Sequence, residues 1–448
     1  MRMVSHRLRR SALVLAIAAT FPLSAFADEK YDLLQQQVDV LKQQLQQVQE
    51  TLQQYKDQMS VKEGQVEQKV MALEEGIAEA SEWKYPDTLI HMAGYADIGY
   101  AFANGETGDF SVGRFSPIFH YQYRDLVMLE SELEITINEA GETDFELEYM
   151  TIDYFLNDYI ALVGGKFLSP IGQFRQNLHP SWINKLASAP PGFGHDGAAP
   201  TSDIGLQARG GFPIGDMFAN YAVYASNGPE LNSTFEDGEF ELEGIRAEGF
   251  GADADGEKVF GGRFGFLPLA GLEIGISAAT GKATVTALEL EHGVEEGEEP
   301  AAKFRAVILD EEGPEEPGLD LHNEQARDYD VFGADFVWNK SGFQLRGEYV
   351  KSKVGAADFG TTASEGASWE SWYTQAAYLI PQTKIEPVIR YTDFNSPHSS
   401  QDQAQWALGL NYLISSNVIG KITYELNDGT AGSMADINRW LIQLAYGF

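Results

Sequence analysis

The sequence predicts an all-β transmembrane barrel of about sixteen antiparallel strands, preceded by an N-terminal α-helical coiled coil. Three observations predict it. The first 27 residues look like an export leader, residues 28–80 carry a heptad seam, and from Pro86 to Phe448 apolar and polar residues alternate in repeated short segments.

The leader has a basic start (Arg2, Arg7, Arg9, Arg10), an apolar run from Ala12 to Ala19 and a small-residue exit, Ala25-Phe26-Ala27. It reads as a secretory signal peptide, with the mature chain beginning near Asp28. Arg9-Arg10 alone is an incomplete twin-arginine motif, and a barrel must cross the inner membrane unfolded. No later stretch reaches the ~18–20 consecutive apolar residues of a membrane helix, so the mature chain is either soluble or spans a bilayer as strands. Cysteine is absent, which excludes haem attachment, thiolate-ligated iron–sulfur clusters and thiol catalysis.

Formal charge is −36, and −40 once the four leader arginines are removed, which argues against nucleic acid as a partner. The acidity is local. Asn227 to Glu257 carries ten acids against one base, and Thr284 to Arg327 carries thirteen against three. These segments either bind divalent cations loosely or meet lipopolysaccharide through bridging cations; outer-membrane lipid is the other expected partner.

In residues 28–80 the apolar positions Leu34, Val38, Leu41, Leu45, Val48, Leu52, Tyr55 and Met59 alternate spacings of four and three. The phase breaks at Lys62 to Gly64 and resumes through Val66, Val70, Leu73 and Ile77. An amphipathic helix lying on its own barrel is one reading. A strict 3.5-residue repeat favours self-association.

Residues 81–448 form the expected barrel. Strands begin near Leu89, Arg114, Leu126, Phe145, Tyr159, Ile204, Met217, Lys258, Leu272, Asp328, Phe343, Ala367, Lys384, Gln403, Val418 and Asn438. Every second connection is short, such as Arg124-Asp125 or Pro381-Gln382, as periplasmic turns are, and the others are mostly longer. In the last strand Trp440, Ile442, Leu444, Tyr446 and Phe448 share one face. A soluble two-sheet protein would also alternate. Against it stand 45 glycines, the terminal Phe448, and aromatic residues placed near strand ends as interfacial girdles: Tyr100, Phe102, Phe167, Trp338, Trp372, Tyr378, Trp406, Tyr412 and Trp440.

Sixteen strands are wide enough to leave an aqueous bore unless something folds into it. The connection 168–203 is the candidate, because it is nearly neutral and too apolar for a solvated loop. Phe174, Arg175, His179, Trp182 and Lys185 are its candidate constriction residues; a place on the outer rim or against a neighbouring protomer is the alternative. Alternation puts Lys166, Arg209, Arg263, Arg346, Lys384, Arg390 and Lys421 on the lumen side, with Glu130, Glu132, Glu134, Glu146 and Glu148. Five acids on two adjacent strands and bases elsewhere imply a transverse field, unless the charges pair across strands. No catalytic set, metal site or cofactor is expected: eight histidines are scattered, and Asp253-Ala254-Asp255-Gly256 is too short for a calcium loop.

The phrases Asp153-Tyr154-Phe155-Leu156-Asn157-Asp158-Tyr159, Gly164-Gly165-Lys166-Phe167-Leu168-Ser169-Pro170-Ile171-Gly172 and Leu178-His179-Pro180-Ser181-Trp182-Ile183-Asn184-Lys185-Leu186 carry a family likeness. With the third external loop long and the coiled coil in front, the chain resembles the phosphate-selective porin O/P superfamily. The coiled coil is similar to that of dicarboxylate-type trimeric porins. The resemblance implies a homotrimer in the Gram-negative outer membrane, a periplasmic coiled coil, and passive diffusion of small hydrophilic solutes or ions, anions among them. Arg209, Arg263, Arg346 and Arg390 would be parts of such a family's arginine ladder, yet a lysine cluster is missing and the mouth is acidic. The alternative is a structural or assembly barrel: a cell-wall tether, or a sheath around a partner protein.

Overall fold

A strand in lipid finds no water for its backbone, so each strand needs two neighbours and the sheet must close on itself. The computed structural model describes residues 87–448 apart from 104–106, 138–140, 195–197, 237–238, 247–255, 291–324 and 359–363. The expected leader and coiled coil lie outside the described residues.

Among the described residues eighteen strands follow in order: β1 Thr88–Ala103, β2 Asp109–Tyr123, β3 Val127–Ile137, β4 Thr143–Asn157, β5 Ile160–Leu168, β6 Ser202–Ile214, β7 Met217–Ser226, β8 Glu230–Glu236, β9 Glu239–Arg246, β10 Val259–Leu269, β11 Leu272–Leu290, β12 Arg327–Lys340, β13 Phe343–Val354, β14 Ala367–Tyr378, β15 Ile385–Asn395, β16 Gln403–Leu413, β17 Val418–Gly429 and β18 Arg439–Gly447. Sixteen of them, all but β8 and β9, form a closed antiparallel ring in chain order. β1 pairs with both β2 and β18, and Gly94 exchanges backbone hydrogen bonds of 3.0 and 2.9 Å with Phe448, which closes the ring.

The strand starts agree with those read from alternation, with one large exception. β2 begins at Asp109 instead of near Arg114, because Phe110 and Val112 already point outward, ahead of an irregular pairing that shifts the phase by one before the exposed Phe115 and Phe119. The hairpin β8–β9 was not expected, since its acids read as a solvated loop. β8 runs parallel to the extension of β11 and buries Leu231, and Leu242 and Ile245 of β9 are buried as well.

The two faces separate cleanly. Leu206 is 70 % exposed and Gln207, the next residue, 3 %, a division repeated by Ile389 and Arg390 and by Ile422 and Thr423. Apolar residues outward and polar ones inward are what a lipid-facing barrel requires. Aromatic side chains meet on the outer face towards the long loops: Trp372, Tyr391 and Trp406 at 5.3 and 4.9 Å, then Tyr424, Trp440 and Phe102. A second group, including Trp338 and Phe343, Tyr446 and Phe448, marks the end with short turns. Phe167 does not belong to either girdle. It points inward, 3 % exposed, against Tyr224.

Close strand approach restricts several glycines. Gly165 has φ +128°, and a Cβ there would lie 2.2 Å from the Met150 carbonyl oxygen of β4. Gly215, φ +63° in the β6–β7 turn, has nothing within 4 Å. Gly165→Val is expected to abolish the compact, heat-modifiable band of the unheated protein on a denaturing gel. Gly215→Ala should keep it, at a cost of about 1–2 kcal/mol for a left-handed alanine. Equal behaviour of the two variants would mean that the β4–β5 approach is not a packing constraint.

Candidate functional site: a loop folded into the lumen

At the end of β5 the chain turns inward and returns to the wall at Ser202, so the described residues of this segment, 169–194 and 198–201, lie inside the ring. Apolar packing explains part of this. Ile171, Phe174, Leu178, Phe193 and Ala198 join the inward-facing Val331, Val350, Trp369, Tyr373 and Phe394 and the hairpin residues Leu231, Leu242 and Ile245 in one buried cluster. Phe193 and Phe174 meet Tyr373 edge-on at 5.0 and 6.4 Å. Burying each such side chain is worth roughly 1.5–3 kcal/mol, and the long-loop half of the lumen beside β10–β15 is thereby filled with hydrocarbon.

The loop backbone then needs partners, because a buried peptide group without one is costly. Wall side chains provide them. Lys421 Nζ donates to the Ser181 and Leu186 carbonyls, and Arg390 donates to those of Ser188 and Ala189 at 3.0 and 3.1 Å. Asn411 donates to Lys185 O at 2.9 Å, Ser371 to Pro191 O and Ser352 to Ala198 O, both at 2.7 Å. In return Glu348 accepts from Phe174 N at 3.0 Å and Thr423 from Ala187 N at 3.2 Å. Lys185 pairs with Glu386, and Ser188 donates to Glu425.

Towards β1–β4 the contacts are ionic. Arg175, in the single helical turn Phe174–Asn177, meets Glu148 at 2.9 Å, and His179 Nε2 lies 3.6 Å from Glu132. Glu132 also accepts from Tyr95 at 2.8 Å, and Arg114 pairs with Glu134 at 2.8 Å. Two polar cavities border this part of the loop. One of about 300 Å³, on the long-loop side, is lined by Asp97, Arg114, Thr136, Arg175, His179 and Asn184 among others. The other, about 480 Å³ on the turn side, is lined by Asp158, Gln176, Asn177, Arg209, Arg263 and Glu273 among others. The helical turn thus separates them, with Arg175 on one side and Gln176 and Asn177 on the other. The Arg175–Glu148 pair sits at the boundary, 6 % and 2 % exposed.

The structure places Glu130, Glu132, Glu134, Glu146 and Glu148 on the inner face of β3 and β4, where alternation puts them. Arg209, Arg263, Arg346, Arg390 and Lys421 also face inward, in varied settings. Arg209 pairs with Asp153. Arg263 is clamped by Asp335 at 2.6 and 2.8 Å, Glu273 at 3.0 Å and Asn220 at 3.1 Å. Arg390 and Lys421 are each 1 % exposed beneath the loop. The four arginines make two cross-strand pairs, not a ladder: Arg209 and Arg263 flank Ala222 of β7, and Arg346 and Arg390 flank Gln375 of β14. Trp182 lies against Gly447.

Two expected wall residues are elsewhere. Lys166 is on the outer face, in register with Met150 and Ile204, because the inward series of β5 is Val163, Gly165, Phe167. Lys384 precedes β15 in the short turn, exposed, with Nζ donating to Ile414 O at 2.7 Å. Alternation also missed Asp153. Glu132 opposes Tyr149 while Leu133 opposes Leu147, so Glu148 is the extra residue of a bulge and the inward series of β4 changes phase after it. The apolar Met150, Ile152 and Tyr154 alternating with Thr151 and Asp153 carried that signal.

The barrel is similar to those of outer-membrane porins. The anion-selective porin from Comamonas acidovorans superposes with a TM-score of 0.51 at 14 % identity, covering 81 % of this chain and 100 % of that one. A loop L8 deletion mutant of OmpT, an outer membrane protein of Vibrio cholerae, gives 0.50 at 10 % identity, covering 81 % and 100 %. At such identities the likeness is one of fold. No family model and no curated protein matches the sequence.

Replacing Lys421 and Arg390 together by Met removes the donors to four loop carbonyls, each worth about 1–3 kcal/mol when left unpaired. Single-channel conductance is expected to rise and protease cleavage to appear within 169–201, with the barrel still heat-modifiable. A variant as closed and as resistant as the parent would mean that the apolar anchors alone hold the loop.

Proposed function

We propose that the chain is an outer-membrane porin through which small hydrophilic solutes diffuse passively, with the loop 168–203 as its constriction. The observation that carries this reading is the division of the lumen. Hydrocarbon and the engaged loop fill the long-loop half beside β10–β15 and the lumen beside β16 and β17, and two polar cavities meet the turn Phe174–Asn177, one against β1–β3 and β18, the other against β4–β7, β10 and β11. Solutes then pass beside the turn Phe174–Asn177, from the cavity against β1–β3 to the cavity against β4–β7, β10 and β11.

The charge along that route favours cations. Asp97, Asp153 and the five glutamates of β3 and β4 stand against Arg114, Arg175 and Arg209; Glu132 and Glu148 are as covered as Lys421 and Arg390, and Arg263 is offset by two carboxylates. Charges in a narrow, poorly screened passage act more strongly than those at a wide mouth. The acidic external segments add the same sign over about one Debye length, roughly 8 Å at physiological salt. Phosphate selectivity finds no support in arginines that stand in two pairs, Arg209 and Arg263 held by carboxylates and Arg390 bonded to loop carbonyls. A sheath around a partner protein is disfavoured by the loop that occupies its bore.

In a planar bilayer with a potassium chloride gradient, the reversal potential is expected to report cation preference. Glu134→Gln with Glu146→Gln should reduce it, whereas Arg209→Gln should raise it. An anion-selective reversal potential in the unsubstituted protein would overturn the charge assignment.

The domain reading extends this proposal: a signal peptide at 1–27, a periplasmic coiled coil at 28–80 and an outer-membrane barrel at 81–448 that associates as a homotrimer. The unbroken heptad from Leu34 to Met59 supports association. Mass measurement of the unheated, detergent-extracted protein should give three chains, and a monomer would count against the assembly.

A further inference from the structure

Inside the turn-side end of the barrel, His91 of β1 and His120 of β2 are direct cross-strand partners. Both belong to the inward series, with Tyr95 and Asp97 on β1 and Ser116 on β2. Their Nδ1 atoms face each other at 3.4 Å, with ring centroids 5.5 Å apart and planes at 31°. That separation exceeds the usual hydrogen-bond range of roughly 2.7–3.2 Å. It matches the spacing of two imidazole nitrogens on one tetrahedral metal ion, ~3.4 Å for bonds of ~2.0–2.1 Å.

A second observation concerns the tautomer. His120 Nε2 is 3.0 Å from Glu130 Oε2, and the other oxygen of Glu130 accepts from Tyr149 at 2.8 Å. The carboxylate accepts the Nε2 proton, which leaves the lone pair of neutral His120 on Nδ1, directed at His91. A carboxylate behind a histidine in this way orients it and raises its basicity as a metal ligand. When His91 Nδ1 carries a proton it faces that lone pair as a donor; when the proton is on Nε2, two lone pairs converge and chelate a cation.

We propose that His91 and His120 form a binding site for a divalent transition-metal ion of the zinc, nickel or copper class. Glu130 is the positioning residue. Water, or a carboxylate of a passing solute, completes the coordination. Both rings are reached from the lumen, His91 exposed and the His120 side chain 27 % exposed, so the ion exchanges without unfolding the barrel. The site does not depend on whether solutes permeate.

The test is direct binding to the purified barrel in detergent, stripped with chelator and titrated calorimetrically with Ni²⁺. Millimolar Ca²⁺ is kept present to occupy oxygen-only sites in the acidic segments, which calcium prefers and nickel does not. One Ni²⁺ per chain is expected. His91→Ala and His120→Ala should each weaken it at least tenfold, and Glu130→Gln by about 10–100-fold, with each variant's heat-modifiable band as the check on folding. The Cu²⁺-loaded unsubstituted protein, whose reading needs no variant, should show two nitrogen donors by electron paramagnetic resonance. Oxygen-only coordination, or Ni²⁺ affinity unchanged in both folded histidine variants, would overturn the proposal; the two rings would then share only a proton.

Discussion

A polypeptide loop that enters a barrel must find a hydrogen-bond partner for nearly every peptide group it brings, and most of the interior follows from how this one does so. The wall donates to the loop's carbonyls through Lys421, Arg390, Asn411, Ser371 and Ser352 and accepts from its amides through Glu348 and Thr423. These residues lie on β13–β17, on one side of the ring. Meeting the loop's demand there covers Arg390 and Lys421 and leaves the polar space on the other side of the turn Phe174–Asn177, towards β1–β7.

The same arrangement distributes two kinds of interaction to opposite sides. Hydrocarbon beside β10–β15 is non-directional and excludes water. The contacts towards β1–β4 are ion pairs in a small polar setting, where geometry sets their strength. Arg175 is at the junction: its neighbour Phe174 is anchored in the apolar cluster, while its own guanidinium meets Glu148. A helical turn of four residues therefore couples the oily half of the lumen to the ionic one.

Much of the fold was legible in the sequence because a lipid-facing strand has few ways to be written. Alternation identified the outer face of Asn438 to Phe448 and the inward glutamates, and the apolar content of 168–203 identified the loop that leaves the wall. Alternation reports which way a side chain points and not what covers it, so Arg390 and Lys421 read like exposed pore charges. It fails at irregularities of phase: the bulge at Glu148 hid Asp153, and the glycines before Lys166 gave no sign of which face the lysine takes. It fails where a strand stops, as at Lys384. In β8 and β9 the acids outweighed three buried apolar residues, and a hairpin read as a loop.

The partners of the inward loop also say something about the order of assembly. Lys421 reaches back across 240 positions to the Ser181 carbonyl, and Ser188 meets Glu425 across 237. Contacts so distant in sequence form late, because the intervening chain must first be ordered. Residues 169–201 have no complete set of partners while β15–β17 are missing, and the ring itself lacks its seam until β18 meets β1. Sealing the wall and completing the loop's hydrogen bonds therefore both wait for C-terminal strands.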